Sequence, residues 1–286
     1  MFYKHVDVFS NVPFSGNSLS VFFLPEMLIK TKMQKIAEEM RHFESIFLCQ
    51  VDGKKNEYNA KIFTVEEELH FAGHPLIGAA CAVHDKYHPD CDNTLLKFNL
   101  SSRSIGISTT RIAQYYSATM DQGLPEFLFS VPLNLIDTFM SAFNLSRNNL
   151  ADLPLEVVST GLNYLIVPLK SGLEQVKHTN VSELLSLVNA KFVYFYDVIR
   201  QEGRTWDNDG NVEDIATGSA AGPVGAYLIK HGIARLNETI VIHQGSYLGR
   251  PSEIKVTVCG QNNKISRITV SGDAVMVGNG NLTAII

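Results

Sequence analysis

Three side chains in this 286-residue chain could move or orient a proton: Glu44, His74 and Asp214. Glu44 stands in Met40-Arg41-His42-Phe43-Glu44-Ser45-Ile46-Phe47, between a helical pattern and a strand pattern. Phe43 and Ile46 flank it with apolar bulk. A carboxyl group partly withdrawn from water holds its proton more tightly, which suits it to acid–base work near neutrality. The alternative is an exposed carboxylate at a helix end. His74 can donate, accept or titrate near neutral pH; the alternative is a structural histidine with its bonds satisfied. Asp214 lies three residues before Thr217, near a helix start. There it could face a ligand, or simply complement the positive end of the helix.

The segments around His74 and Asp214 share a plan. Ala72-Gly73-His74-Pro75 opens one run and Thr217-Gly218-Ser219-Ala220 opens another. A glycine followed by a polar residue at a helix start leaves backbone N–H groups exposed, with about half a positive charge from the helix dipole. Such an end suits a carboxylate or phosphate. Gly73, Gly218 and Ser219 are therefore candidate substrate-binding residues. Two related ends would converge on one cleft between two halves. The competing reading is capping, with Thr217 and Ser219 as cap residues and Pro75 at the first helical position.

The helices behind these starts are unusual. Pro75–Val83 and Ala220–Ile229 are apolar on every side, which calls for burial on every side. Thr31–His42 differs: Met33, Ile36, Ala37 and Met40 recur at helical spacing among charges, as expected of a surface helix. Leu133–Phe143 and Val181–Leu187 read similarly. Most of the remainder reads as short strands rich in Val, Ile, Phe and Tyr, several alternating with polar residues, which implies mostly antiparallel pairing. Candidates include Tyr3–Phe9, Leu19–Leu24, Ser45–Val51, Asn163–Pro168, Phe192–Val198, Ser266–Val270 and Ala274–Val277. Gly278-Asn279-Gly280-Asn281 reads as a turn. The expected fold is α+β, in two similar halves, each a central apolar helix wrapped by a curved, mostly antiparallel sheet. Gly73 and Gly218 lie about half the chain apart, as an ancient duplication would leave them.

Composition removes other classes. The net charge is −5, without the basic excess of a nucleic-acid binder. No apolar run approaches the ~18 residues of a membrane span, and the first residues lack a signal-peptide apolar region. The cysteines at 49, 81, 91 and 259 form no CxxC, and Cys49 and Cys81 read as buried thiols. A reducing, cytoplasmic compartment is expected. The histidines at 5, 42, 70, 84, 88, 178, 231 and 243 show no metal-ligand spacing. No nucleotide or metal motif occurs, so neither cofactor nor metal is expected.

The sequence resembles the PhzF-like family, named after phenazine biosynthesis. The matching motifs are Val6-Asp7-Val8-Phe9, Phe14-Ser15-Gly16-Asn17, Met33–Met40, Glu44, Phe71-Ala72-Gly73-His74-Pro75, Val158-Ser159-Thr160-Gly161-Leu162, Glu213–Ala220, Gln244-Gly245 and Gly249-Arg250-Pro251-Ser252. Phe43 stands where the family often has Ser. The resemblance implies a diaminopimelate epimerase-like fold, each half a mostly antiparallel β-barrel around its central apolar helix, with residues 1–112 in one half, 113–272 in the other, and 273–286 returning to the first. It implies a homodimer, a catalytic Glu44 supported by His74, Asp214 and Ser219, and Gly73 at a substrate carboxylate. It also implies that the two thiols of the related epimerases are absent, since Ala72 and Ala216-Thr217 precede the two glycines. The expected activity is a cofactor-independent proton shift within a small carboxylated substrate. A non-catalytic binding protein and an epimerase or racemase are the alternatives.

Overall fold

The computed structural model describes residues 1–101, 103–177, 180–262 and 264–283; His178 lies outside them. The chain divides into two compact units, Met1–Asp121 with Ser271–Ile286, and Gln122–Val270. Among the described residues no helix is long and apolar enough to cross a membrane.

The first unit holds β1 (Phe2–Val8), β2 (Asn17–Leu24), α1 (Lys30–Met40), β3 (Glu44–Gln50), β4 (Glu57–Phe63), the short β5 (Glu68–Leu69), α2 (Gly73–Tyr87), β6 (Asn93–Asn99), β7 (Ser104–Ile112) and most of β8 (Tyr115–Gly123). The second holds β9 (Glu126–Ser130), α3 (Ile136–Ala142), β10 (Glu156–Ser159), β11 (Asn163–Leu169), α4 (Ser182–Ser186), β12 (Phe192–Asp197), β13 (Glu202–Arg204), α5 (Gly218–Lys230), β14 (Thr239–Gln244) and β15 (Ser252–Gln261). The last strand, β16 (Lys264–Asn281), gives its first part to the second unit and its remainder to the first.

In the first unit the strand order is β1-β2-β3-β4-β6-β7-β8-β16, and β16 pairs back onto β1, so the order closes on itself. The second unit runs β16-β15-β14-β13-β12-β11-β10-β9. Pairing is mostly antiparallel, as the alternating patterns require, with parallel pairs at β2–β3, β4–β6, β11–β12 and β13–β14. Those exceptions fall at matching places. β1 to β7, leaving out β5, read antiparallel, parallel, antiparallel, parallel, antiparallel, with α1 before β3 and α2 before β6. β10 to β15 repeat that order, with α4 before β12 and α5 before β14. The duplication suggested by the two glycine-led helices is thus visible as topology.

α2 is buried from Gly73 through His84 and packs on β1, β2, β3, β6 and β7. Gly78 permits this approach: a Cβ there would stand 2.6 Å from Leu19 and 2.7 Å from Val8. α5 packs on β15, β10 and β11, and a Cβ on Gly225 would meet Val256 at 2.6 Å. α1 covers another surface, setting Met33, Ile36 and Ala37 against Phe22, Phe47 and Phe63.

Several expectations need correction. The stretch at 278–281 is strand, not turn: Gly278 to Asn281 pair with His5 to Phe2 at the end of the continuous β16. Gly280 serves close approach, since a Cβ there would stand 2.8 Å from the Tyr3 ring. Cys49 is half-buried, because it lies near the end of β3 where the strand leaves the core; Cys81, in the middle of α2, is buried. Pro75 is the third residue of α2, not the first.

Candidate functional site

Glu44 is the first residue of β3, and His74 the second of α2. Side chains alternate across a strand, so the row Val6–Leu19–Glu44 across β1, β2 and β3 presents one face to α2. This register brings Glu44 to His74. Their Oε2 and Nδ1 atoms are 3.0 Å apart. Glu44 is 5% exposed and His74 2%. The contact is a close approach of charge to ring nitrogen, since no aligned donor meets Oε2. Asn17 Nδ2 flanks the same Nδ1 at 3.5 Å. Buried charge costs much unless paired; this geometry provides the partner. The exposed helix-end reading of Glu44 does not hold.

Gly73 and Gly218 are the first residues of α2 and α5, and both are buried. Neither cap residue bonds the first turn through its side chain. Ala72 has no side-chain acceptor. Thr217 has one but turns it elsewhere, its Oγ1 donating to Asp214 Oδ2 at 2.6 Å. Thr217 is thus the N-cap residue of α5 by position but makes no capping bond with its side chain, and Ser219 is the second residue of α5 rather than a cap. Asp214 is buried, and its Oδ1 also accepts a long bond from Ala216 N at 3.4 Å.

Gln244 joins this second set and was not singled out by its residue type. It accepts from Thr217 N at 3.1 Å and from the Tyr194 hydroxyl at 2.9 Å, and donates to Asp214 O at 2.8 Å. Burial pushes the Tyr194 hydroxyl well above its ordinary range, which keeps it a donor. Gly245 follows at φ +83°, where a Cβ would lie 2.7 Å from Ile215 O. Half-buried Ser219 lies 2.7 Å from the Tyr164 hydroxyl. Gln122 donates to Gly218 O at 2.7 Å and accepts from Thr160 Oγ1 at 3.3 Å. Only the Gln244-Gly245 and Ser159-Thr160-Gly161 motifs hinted at these residues.

The topological repeat makes one comparison possible. Glu44 opens β3 opposite Leu19; Phe192 opens β12 opposite Tyr164. The second unit therefore places an apolar ring where the first has its carboxylate. Among the described residues no group of three His, Cys, Asp or Glu is placed to hold a metal.

The sequence profile of the family described as phenazine biosynthesis-like protein matches residues 6–280. The chain belongs to this family. It is 31% identical over 289 residues to a trans-2,3-dihydro-3-hydroxyanthranilate isomerase of Pseudomonas chlororaphis, covering 98% of each chain. A solved structure described as a predicted epimerase of Pseudomonas aeruginosa shares 40% identity at a TM-score of 0.94, covering 99% of both chains. The fold extends further, to a probable proline racemase of Agrobacterium radiobacter at 14% identity and a TM-score of 0.64, covering 99% of this chain and 93% of that one. The PhzF-like chain is an enzyme of the isomerase class, with an α+β fold of the epimerase-like kind.

Proposed function

We propose that this PhzF-like enzyme moves a proton within a small carboxylated substrate, with Glu44 as its acid–base group and no cofactor. The observation that carries the reading is the buried Glu44–His74 pair at 3.0 Å. As carboxylate, Glu44 takes a proton from a substrate carbon. As acid, which can exchange its proton with solvent between the two steps, it gives a proton to another carbon of the conjugated system, so the product is an isomer and Glu44 ends as it began. His74 holds the carboxyl group in place and shares its proton. Gly73 offers its N–H and the positive end of α2 to the substrate carboxylate. In the second unit, Asp214, Gly218 and Ser219 form a polar set that we assign to orienting substrate amino or hydroxyl groups. We also propose that each unit curls into a barrel around its buried helix, a reading supported in the first unit by the β1–β16 pairing.

The second reading is an epimerase, favoured by the description of the 40% identical relative. Inversion ordinarily needs a group on each face of the carbon. Phe192 at the place matching Glu44, and no cysteine beside Gly73 or Gly218, weigh against a second group. Proton NMR in D₂O with trans-2,3-dihydro-3-hydroxyanthranilate separates the two. A moved double bond, with deuterium on the carbon that gains the proton, supports the proton shift. Deuterium at an inverted centre with the double bonds unmoved supports epimerisation, and a spectrum with neither exchange nor a moved double bond would remove that compound as substrate.

A further inference from the structure

We infer that His42 is a positioning residue that fixes Glu44 at the start of β3. The inference rests on the acid–base reading of Glu44 for its functional meaning.

His42 lies on the sheet face opposite the one that Glu44 shares with α2. His5, Ser20 and Ser45 form a row across β1, β2 and β3, one residue out of step with Val6, Leu19 and Glu44. The period of two sends these rows to opposite faces. Along its own face the polar row continues into Tyr3, Phe22 and Phe47, and Phe22 and Phe47 are covered by α1. The chain leaves α1 through Arg41, whose φ of +53° turns it sharply, with its N–H still on Ala37 O. Two residues then remain before Glu44. In that span His42 stacks on the His5 ring, centroids 4.5 Å apart, and its Nδ1 lies 2.9 Å from Ser20 Oγ.

The anchor points are firm. Ser20 is fully buried, so its hydroxyl would lose a partner in a dry setting if His42 moved away. His5 lies 4.0 Å from Asp7 Oδ1, and the other Asp7 oxygen accepts from Phe14 N at 2.6 Å. His42 is thus tied to β1 and β2, two residues before the carboxylate, while His74 holds that carboxylate from the other face. Displacement of a reacting group by about 1 Å can cost on the order of 10²-fold in rate.

The test uses the full chain with ¹³C-labelled glutamate, so it does not depend on knowing the substrate. The Glu44 carboxyl signal is assigned by its loss in Glu44→Gln and followed with pH. In His42→Leu and Ser20→Ala, its midpoint should move by about 0.5 unit or more, as the distance to His74 changes. His42→Asn, which can still bond the Ser20 hydroxyl, should restore it. An unmoved midpoint in folded His42→Leu overturns the inference. Should that variant fail to fold, an unmoved midpoint in Ser20→Ala, which loses only one hydroxyl, overturns it equally. On substrate, His42→Leu and Ser20→Ala should lose about tenfold in kcat at little change in KM, and His42→Asn should regain it. Wild-type turnover in Glu44→Gln would instead overturn the acid–base reading, and with it the functional meaning of His42. Wild-type kcat in His42→Leu beside an inactive Glu44→Gln would overturn the inference about His42 alone.

Discussion

At the scale of residues, the candidates were legible because each type was odd for its surroundings. Glu44 lies between Phe43 and Ile46, and His74 and Ser219 follow glycines at helix starts. The approach of Glu44 to His74 was not legible. Thirty residues separate them, and only the β2–β3 register places the carboxyl group on the face that α2 covers. Gln244 was marked only by the Gln244-Gly245 motif and its role was hidden, because a glutamine ending a strand is ordinary and its value lies in three partners distant in sequence. Its loss has a defined cost. Gln244→Leu leaves Thr217 N, Asp214 O and the Tyr194 hydroxyl without this partner in a buried place. Each such group costs about 1–3 kcal/mol, so urea unfolding should show a loss of at least that size. A loss below about 0.5 kcal/mol would mean that the network is not maintained in solution.

At the scale of elements, the buried helices were the clearest signal. A run such as Pro75–Val83, with no polar face, has only one stable place, inside. Helix ends were less legible: α2 begins at Gly73 and runs to Tyr87, because tertiary contacts extend a helix beyond its most apolar stretch. The strand at 278–281 was hidden by its own composition. Gly and Asn signal a turn locally, yet pairing with β1 and the space needed by the Tyr3 ring decide otherwise. The same close packing makes Gly78 a sensitive position. Gly78→Ala puts a methyl group 2.6–2.7 Å from Leu19 and Val8. Overpacking of this kind costs about 1–3 kcal/mol, seen as a lower denaturant midpoint with an unchanged slope. An unchanged midpoint would show that β1 and β2 yield more readily than this packing suggests.

At the scale of the molecule, the division between units is unmarked in the sequence because it falls inside continuous strands, β8 and β16. β16 closes the strand order of the first unit, so its C-terminal part stabilises residues far away in the chain. Ending the chain after Val270 exposes the edge of β1 as an unpaired template. The truncated protein should lose cooperative unfolding and aggregate; a monomer with the full-length melting temperature would contradict the role given to β16. Alkaline pH tests the burial of the first unit. Tyr58 and Tyr116 are each pushed up to about 12, chiefly by burial. Their phenols ionise near pH 10 when unfolded. The stability they contribute is therefore intact below pH 10 and falls as the pH rises toward 12. Absorbance at 295 nm should show Tyr58 and Tyr116 among the phenols that titrate late, their late step lost in Tyr58→Phe and Tyr116→Phe, with unfolding easier at pH 11 than at pH 9.

The central claim is that one carboxyl group, Glu44, carries the proton. Deuterium incorporation into trans-2,3-dihydro-3-hydroxyanthranilate, compared between the wild-type chain and Glu44→Gln at matched folded concentration, tests it most directly. The account predicts a fall in the exchange rate of at least about 10²-fold, the usual contribution of a positioned acid–base group, with the melting temperature retained. Exchange at the wild-type rate in folded Glu44→Gln would contradict it.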